Sequence, residues 1–244
     1  MIALSALFAL GLAVVHLFAG RLAFLGHVPR SRWLSFGGGV SVAYVFVHLL
    51  PELGEHQEAF EGVGPVAAFV DRHVYLIALV GFGTFYGLER LAHRSRDSER
   101  GDGSIRPLPG VDNPVFWVHV GSFALYNAVI GYLLVRGESG VESLLFFAVA
   151  MALHFLVNDF GLRDHHAEAY DHAGRWVLSV SVVVGWLVGA VTAIPTLTVG
   201  VLLAFLGGGI VLNVIKEELP AERESRFWAF AAGAAGYAAL LLAV

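Results

Sequence analysis

The sequence contains no cysteine, which excludes a disulfide framework, a thiolate metal centre and a cysteine nucleophile. Charge is scarce as well. Only 14% of the 244 residues are Asp, Glu, Lys or Arg, well below the roughly one quarter of an ordinary soluble domain. The formal net charge of −5 is small and gives no grounds for a nucleic-acid partner. No nucleophile elbow, phosphate-cradling glycine loop or HExxH element occurs, so the chain is not expected to be an enzyme or to carry a permanently bound cofactor. An intramembrane enzyme would require a metal and an activated water. Any metal would have to sit on His, Asn, Asp or Glu.

What is abundant is hydrocarbon. Hydrophobic residues make up 57% of the chain and the mean hydropathy is +0.71, too apolar for water to be the main solvent. A bilayer core about 30 Å thick needs roughly 20 mostly uncharged residues per spanning helix. Lipid cannot satisfy a broken backbone, so each span must be helical. The expected fold is all-α: one polytopic domain over residues 1–244, with about eight transmembrane helices. The spans run Ile2 to Gly20, Trp33 to Leu50, His73 to Ala92, Pro114 to Val135, Val141 to Leu162, Arg175 to Ala193, Thr196 to Glu217 and Ser225 to Val244. The third is short in uncharged residues, and Arg72, Glu89 and Arg90 are expected to snorkel from its ends. Trp176 to Ile215 carries no charge, and Pro195 near its middle predicts a tight helical hairpin. The first run starts without a basic segment and lacks a clean small-residue cleavage site, so it is expected to be a retained span; a cleaved signal peptide is the alternative.

The basic residues orient this map. Thirteen of the 15 Lys and Arg residues fall at one set of alternating span ends, and only Arg72 and Arg136 at the other. By the positive-inside rule the basic ends are cytoplasmic and both termini external, in a plasma or inner membrane. Residues 93–113 form a flexible cytoplasmic loop on this map, and Glu52, Glu55, Glu58, Glu61 and Asp71 an acidic external one. Two segments then resemble each other: GGGVSVAYVFVHLLPE from Gly37 to Glu52 and GGGIVLNVIKEELPAE from Gly207 to Glu222. They run in opposite directions, the arrangement of inverted repeats in secondary transporters. The plainer account is that small-residue triplets are common wherever membrane helices pack closely.

A polar group inside a span is costly and so a functional candidate. The fifth span is richest, with His154, Asn158 and Asp159. His154 and Asn158 share a helical face, Asp159 is offset by about 100°, and the set suits Zn, Mn, Fe(II) or a similar divalent ion. Alternatively, His154 makes an interhelical hydrogen bond and Asp159 sits near the cytoplasmic interface. Asn127 in the fourth span, with Tyr126, Gly131 and His119 nearby, is either a ligand or an interhelical hydrogen-bond partner. His48 and Glu52, with Glu55 and His56 beyond, could attract cations at the external mouth or could simply be a solvated acidic edge. Arg163 to His172 holds three histidines and three acids, either a loose metal-collecting patch or a solvated loop. In the seventh span Asn213 precedes Lys216, Glu217 and Glu218, whose charges are expected to mark the membrane boundary.

This pattern resembles the ZIP (Zrt/Irt-like) family of divalent metal transporters over nearly the whole chain. Gly37 to Gly39 followed by His48 to Glu52 is similar to that family's second span, and Gly207 to Pro220 to its seventh. In its fourth and fifth spans the family carries HNxxEG-like and HExxHE-like motifs. Here LYNAVIG, Leu125 to Gly131, keeps Asn127 and Gly131 but has Tyr126 and Ile130 at the histidine and carboxylate. HFLVND, His154 to Asp159, keeps the first histidine and a final carboxylate, with Phe155 and Asn158 at the acid and second histidine. The resemblance implies inverted outer repeats and a carrier moving a divalent metal into the cytoplasm, with spans one, four, five and six moving against the rest. It implies His154 and Asp159 as main metal ligands, Asn127 and Asn158 as neutral oxygen donors, and His48 and Glu52 at the entrance. The partners expected are the lipid bilayer, the metal ion as substrate and a second copy in a homodimer. Its departures imply weaker binding, another ion or a non-transporting relative with a regulatory or interaction role, because the set holds one formal negative charge.

Overall fold

A computed structural model describes residues 1–21, 31–51, 73–101, 114–137, 140–218 and 225–243. Among them are eight α-helices in chain order: α1 (Ile2–Phe18), α2 (Arg32–Tyr44), α3 (Val74–Gly101), α4 (Pro114–Arg136), α5 (Val141–Ala169), α6 (Arg175–Val191), α7 (Thr196–Glu218) and α8 (Phe227–Leu242). The described residues contain no strand. Each apolar segment expected from the sequence corresponds to one of these helices. Five of them, α1 and α4 to α7, are long and apolar enough to cross a membrane, and α8 is a shorter apolar helix. The protein is therefore a multi-pass membrane protein. Its outward faces carry large apolar side chains such as Leu7, Leu10, Leu79, Val180, Leu187 and Leu242, each about half exposed or more, which suit a lipid solvent.

Local chemistry explains the ends. Ser31 caps α2 by accepting from the Trp33 amide at 3.3 Å. Pro114 opens α4, where a missing N–H costs nothing. Gly140 precedes α5 with φ of 120°, a conformation that suits glycine. The expected hairpin break is present: α6 stops at Val191, Thr192 is extended, and Pro195 precedes the first residue of α7. Two boundaries differ. The fifth helix continues to Ala169 rather than ending at Leu162, so the segment from Arg163 that was expected to be a loop is helical. The third helix runs on to Gly101 rather than ending at Ala92, because the Arg, Asp, Ser and Glu residues that make the segment polar do not break a helix. The rest of the expected cytoplasmic loop, 102–113, lies outside the described residues, as do Glu52 and the acidic external loop. α2 continues into a π-helical turn at Val45–Leu49, and a second π turn, Tyr170–Gly174, joins α5 to α6.

Three helix pairs pack with their backbones almost touching, and each is closed by reciprocal glycines. A Cβ at Gly39 of α2 would overlap the Phe230 carbonyl oxygen of α8, and one at Gly233 of α8 would overlap that of Phe36. Gly81 of α3 meets the Phe205 carbonyl of α7 in the same way, and Gly208 meets that of Ala78. Gly131 of α4 meets the Val182 carbonyl of α6, and Gly185 meets that of Ala128. In lipid, where apolar burial supplies little drive between helices, such close approach gains dispersion and Cα–H···O contacts. The approach is looser elsewhere, as where a Cβ at Gly37 of α2 would lie 3.4 Å from the Leu153 side chain of α5. α1 is bonded to α6: Ser179 donates to the Ala13 carbonyl at 2.9 Å, and the Trp186 indole donates to Ser5 at 3.0 Å.

Candidate functional site

The buried polar residues of the bundle gather around α4 and α5. Asn127, His154, Asn158 and Asp159 are all at most 1% exposed, and His16 of α1 is fully buried. Asp159 faces α1, where both carboxylate oxygens lie against His16 Nδ1, at 2.8 and 2.9 Å. With Nδ1–H donated to the carboxylate, a neutral His16 keeps its lone pair on Nε2. That atom is 2.9 Å from Asn127 Nδ2, which donates to it. The tautomer follows from the two partners. Phe155 stacks on the His16 ring with centroids 4.3 Å apart. Three helices thus converge on one imidazole.

His154 takes part in a different contact. Its Nε2 is 3.1 Å from the Tyr126 hydroxyl. Tyr126 packs edge-on against Phe85 of α3 at 5.6 Å. A Cβ at Gly209 of α7 would lie 3.4 Å from the Tyr126 ring. Asn127 and Tyr126 are adjacent in sequence, as are Asp159 and Asn158, so each neighbouring pair serves two faces of its helix. Asn158 shares the α5 face of His154, one turn further on. Neither its amide nitrogen nor its oxygen has a hydrogen-bond partner, and the same holds for Asn213, one turn past Gly209 on α7. Asn127 Oδ1 and His154 Nδ1 are likewise unpartnered. Buried polar atoms normally find partners, so these atoms mark a place where a polar ligand or water would be stabilised.

The expected ligands therefore divide. Asn127 and Asp159 meet on His16, while His154 bonds Tyr126. Among the described residues no three His, Asp or Glu side chains form a group that could hold a metal ion. His48 is partly buried in the π turn of α2 with its ring 5.2 Å from that of Tyr44; Glu52 lies outside the described residues. The described side chains of the Arg163–His172 patch point to separate partners. Arg163 donates to the Gly20 carbonyl at 2.6 Å and to Asp171 at 3.1 Å, and His172 bonds the Glu168 carbonyl at 3.0 Å. His166 instead reaches His119 of α4 at 3.3 Å. The charges of α3 and α7 also pair: Lys216 Nζ is 2.7 Å from Glu89 Oε2, so Glu89 is held by a neighbouring helix rather than snorkelling alone.

His16 is the functional candidate that motif matching passed over. Its signal was available, since it is a polar side chain inside an otherwise uncharged run, the criterion that singled out His154. No protein-family model matches the sequence, and no curated protein is similar to it.

Proposed function

We propose that this protein is a ZIP-like carrier that moves a divalent metal cation across a membrane towards the cytoplasm, with eight spans and both termini external. The observation that carries the proposal is a buried carboxylate, Asp159, bonded to His16 and placed between helices, with unpartnered amide oxygens on Asn127 and Asn158. A negative charge and neutral oxygens at this depth are a cation's requirements. The helix pairing supports opposed repeats. Exchanging α1–α3 with α6–α8 converts the Gly39/Gly233 seam of α2–α8 into the Gly208/Gly81 seam of α7–α3. It also supports two moving units. The α4–α6 seam and the α1–α6 hydrogen bonds fall in one unit, and the α2–α8 and α3–α7 seams in the other. Between units the approach is looser at Gly37, where a Cβ would lie 3.4 Å or more from Leu153, so sliding there does not have to separate touching backbones.

In this reading Asp159 and His16 receive the ion, Asn127 turns its amide oxygen towards it, and His154 and Asn158 line the adjacent face. His48 and Glu52 serve the entrance. The test is uptake into vesicles that contain the purified chain and a metal-sensitive dye, offered Zn, Mn, Fe(II), Co or Cd. Uptake lost in Asp159→Asn and His16→Ala is the expected result. No uptake of any of these ions by the intact chain would sink the proposal.

A second reading is a non-transporting protein with this fold. It is favoured by one observation: both Asp159 oxygens and both His16 nitrogens already have partners, so this carboxylate–imidazole pair also serves as a structural lock. Unimpaired folding with no uptake in the vesicle assay would select it.

A further inference from the structure

At the end of the bundle where α3, α5 and α7 finish and α4 begins, four side chains from four helices form a chain of contacts. Lys216 Nζ lies 2.7 Å from Glu89 Oε2, the same oxygen is 3.4 Å from His119 Nε2, and His119 Nδ1 is 3.3 Å from His166 Nε2. Lys216 is the single lysine of the sequence. The His119 side chain is 3% exposed and that of Glu89 is 13% exposed. At His166 the backbone leaves helical geometry, with φ −137° and ψ 39°, and the π turn at Tyr170–Gly174 follows. The chain is irregular where this imidazole turns towards α4.

We propose that His119 Nδ1 and His166 Nε2 form a binding site for a borderline divalent transition metal such as Zn(II), Cu(II) or Co(II), with water completing the coordination. The separation supports this. Two nitrogens each about 2.0–2.1 Å from a tetrahedral metal lie about 3.3–3.4 Å apart, as these do. The carboxylate is on the correct side. Glu89 Oε2 lies 3.4 Å from His119 Nε2, which favours a proton on Nε2 and leaves Nδ1 as the nitrogen for the metal, the usual arrangement behind a ligating histidine. Lys216 holds the same carboxylate oxygen at 2.7 Å. In the metal-free protein His166 Nε2–H donates to His119 Nδ1 across this contact; the metal takes the place of that proton, which moves to His166 Nδ1. Two imidazoles with no thiolate select the Zn and Cu class over Mg or Ca.

The site contains none of the residues assigned to the central carrier site, so it stands or falls independently of transport. The test uses the full chain in detergent micelles, titrated with ZnCl2 by calorimetry and with CuCl2 by electron paramagnetic resonance. We expect a Cu(II) spectrum with nitrogen superhyperfine coupling from imidazole, Zn affinity at least tenfold weaker in His166→Ala, and about 10–100-fold weaker in Glu89→Gln. Gly83→Ala, on a face of α3 where a Cβ meets no protein atom within 4 Å, should bind as the intact chain does. Equal Zn affinity in the intact chain and His166→Ala would overturn the proposal. If His166→Ala does not fold, the unaltered chain still decides: Zn should protect His119 and His166 from diethyl pyrocarbonate, read by mass spectrometry. Unprotected histidines would reject the site.

Discussion

The two faces of the α4–α5 pair hold similar residues in different states of satisfaction. Towards α1, His16, Asp159 and Asn127 form a continuous hydrogen-bonded set with a stacked Phe155. On the opposite side, Tyr126 and His154 share one bond, while Asn158 and Asn213 have unpartnered amides. A network in which most groups are paired is rigid in a low-dielectric interior, whereas one with several unpaired groups is freer to accept a polar ligand. The first face therefore fixes how α1 sits on α4 and α5, and the second can admit water without first breaking strong bonds. The largest test of this contrast is His16→Leu. It would leave the Asp159 carboxylate buried without its main partner, and loss of one member of a buried pair costs about 3–5 kcal/mol. Thermal unfolding in detergent should show a large fall in Tm. Asp159→Asn should cost less, because a neutral amide oxygen can still accept from His16 Nδ1–H. Equal losses in the two variants would mean that packing, not charge, sets the value of this face.

A smaller effect is expected on the incomplete face. Tyr126→Phe removes the hydroxyl bonded to His154 and keeps the ring against Phe85, so the loss should be about 1 kcal/mol. If it equals the His16→Leu loss, the two faces do not differ in the way their hydrogen bonds indicate.

How much of this was legible in the sequence depends on the range of the interaction. Helices follow from apolar run length, so the eight segments and the Pro195 break could be read directly. The extension of α3 to Gly101 could not, because a polar stretch with no glycine or proline before its last residue suits either an exposed helix or a loop. Span five advertised His154, Asn158 and Asp159 as one set, since local periodicity places them near one another. Periodicity cannot state which neighbour each side chain meets. Asp159 turns to a residue 143 positions away, and tertiary packing alone decides that. The Gly37–Gly39 and Gly207–Gly209 triplets were visible as patterns. Their division of labour was not: only Gly39 and Gly208 sit where a Cβ would strike a backbone carbonyl, while Gly37 and Gly207 face side chains.

That division sets the smallest and most specific comparison, between glycines that seal helix pairs and glycines that do not. Gly131 and Gly185 lie on the α4–α6 seam, whereas Gly83 of α3 has nothing within 4 Å of a built Cβ. A methyl at Gly131 must push α6 away from the Val182 carbonyl, and overpacking of this kind costs about 1–3 kcal/mol. The same methyl at Gly83 meets no protein atom and reduces backbone freedom in a helix, which stabilises by up to about 1 kcal/mol. Gly131→Ala should therefore lower the unfolding temperature in detergent, and Gly83→Ala should leave it unchanged or raise it slightly. The sign of the difference tests the seam without requiring any transport activity. Because Gly131 is one helical turn from Asn127, separation of α4 from α6 should also loosen the hold of Asn127 on His16, making part of the Gly131→Ala loss non-additive with His16→Leu in a double-mutant cycle. Strict additivity would show that the seam and the polar centre are independent supports of the same helix.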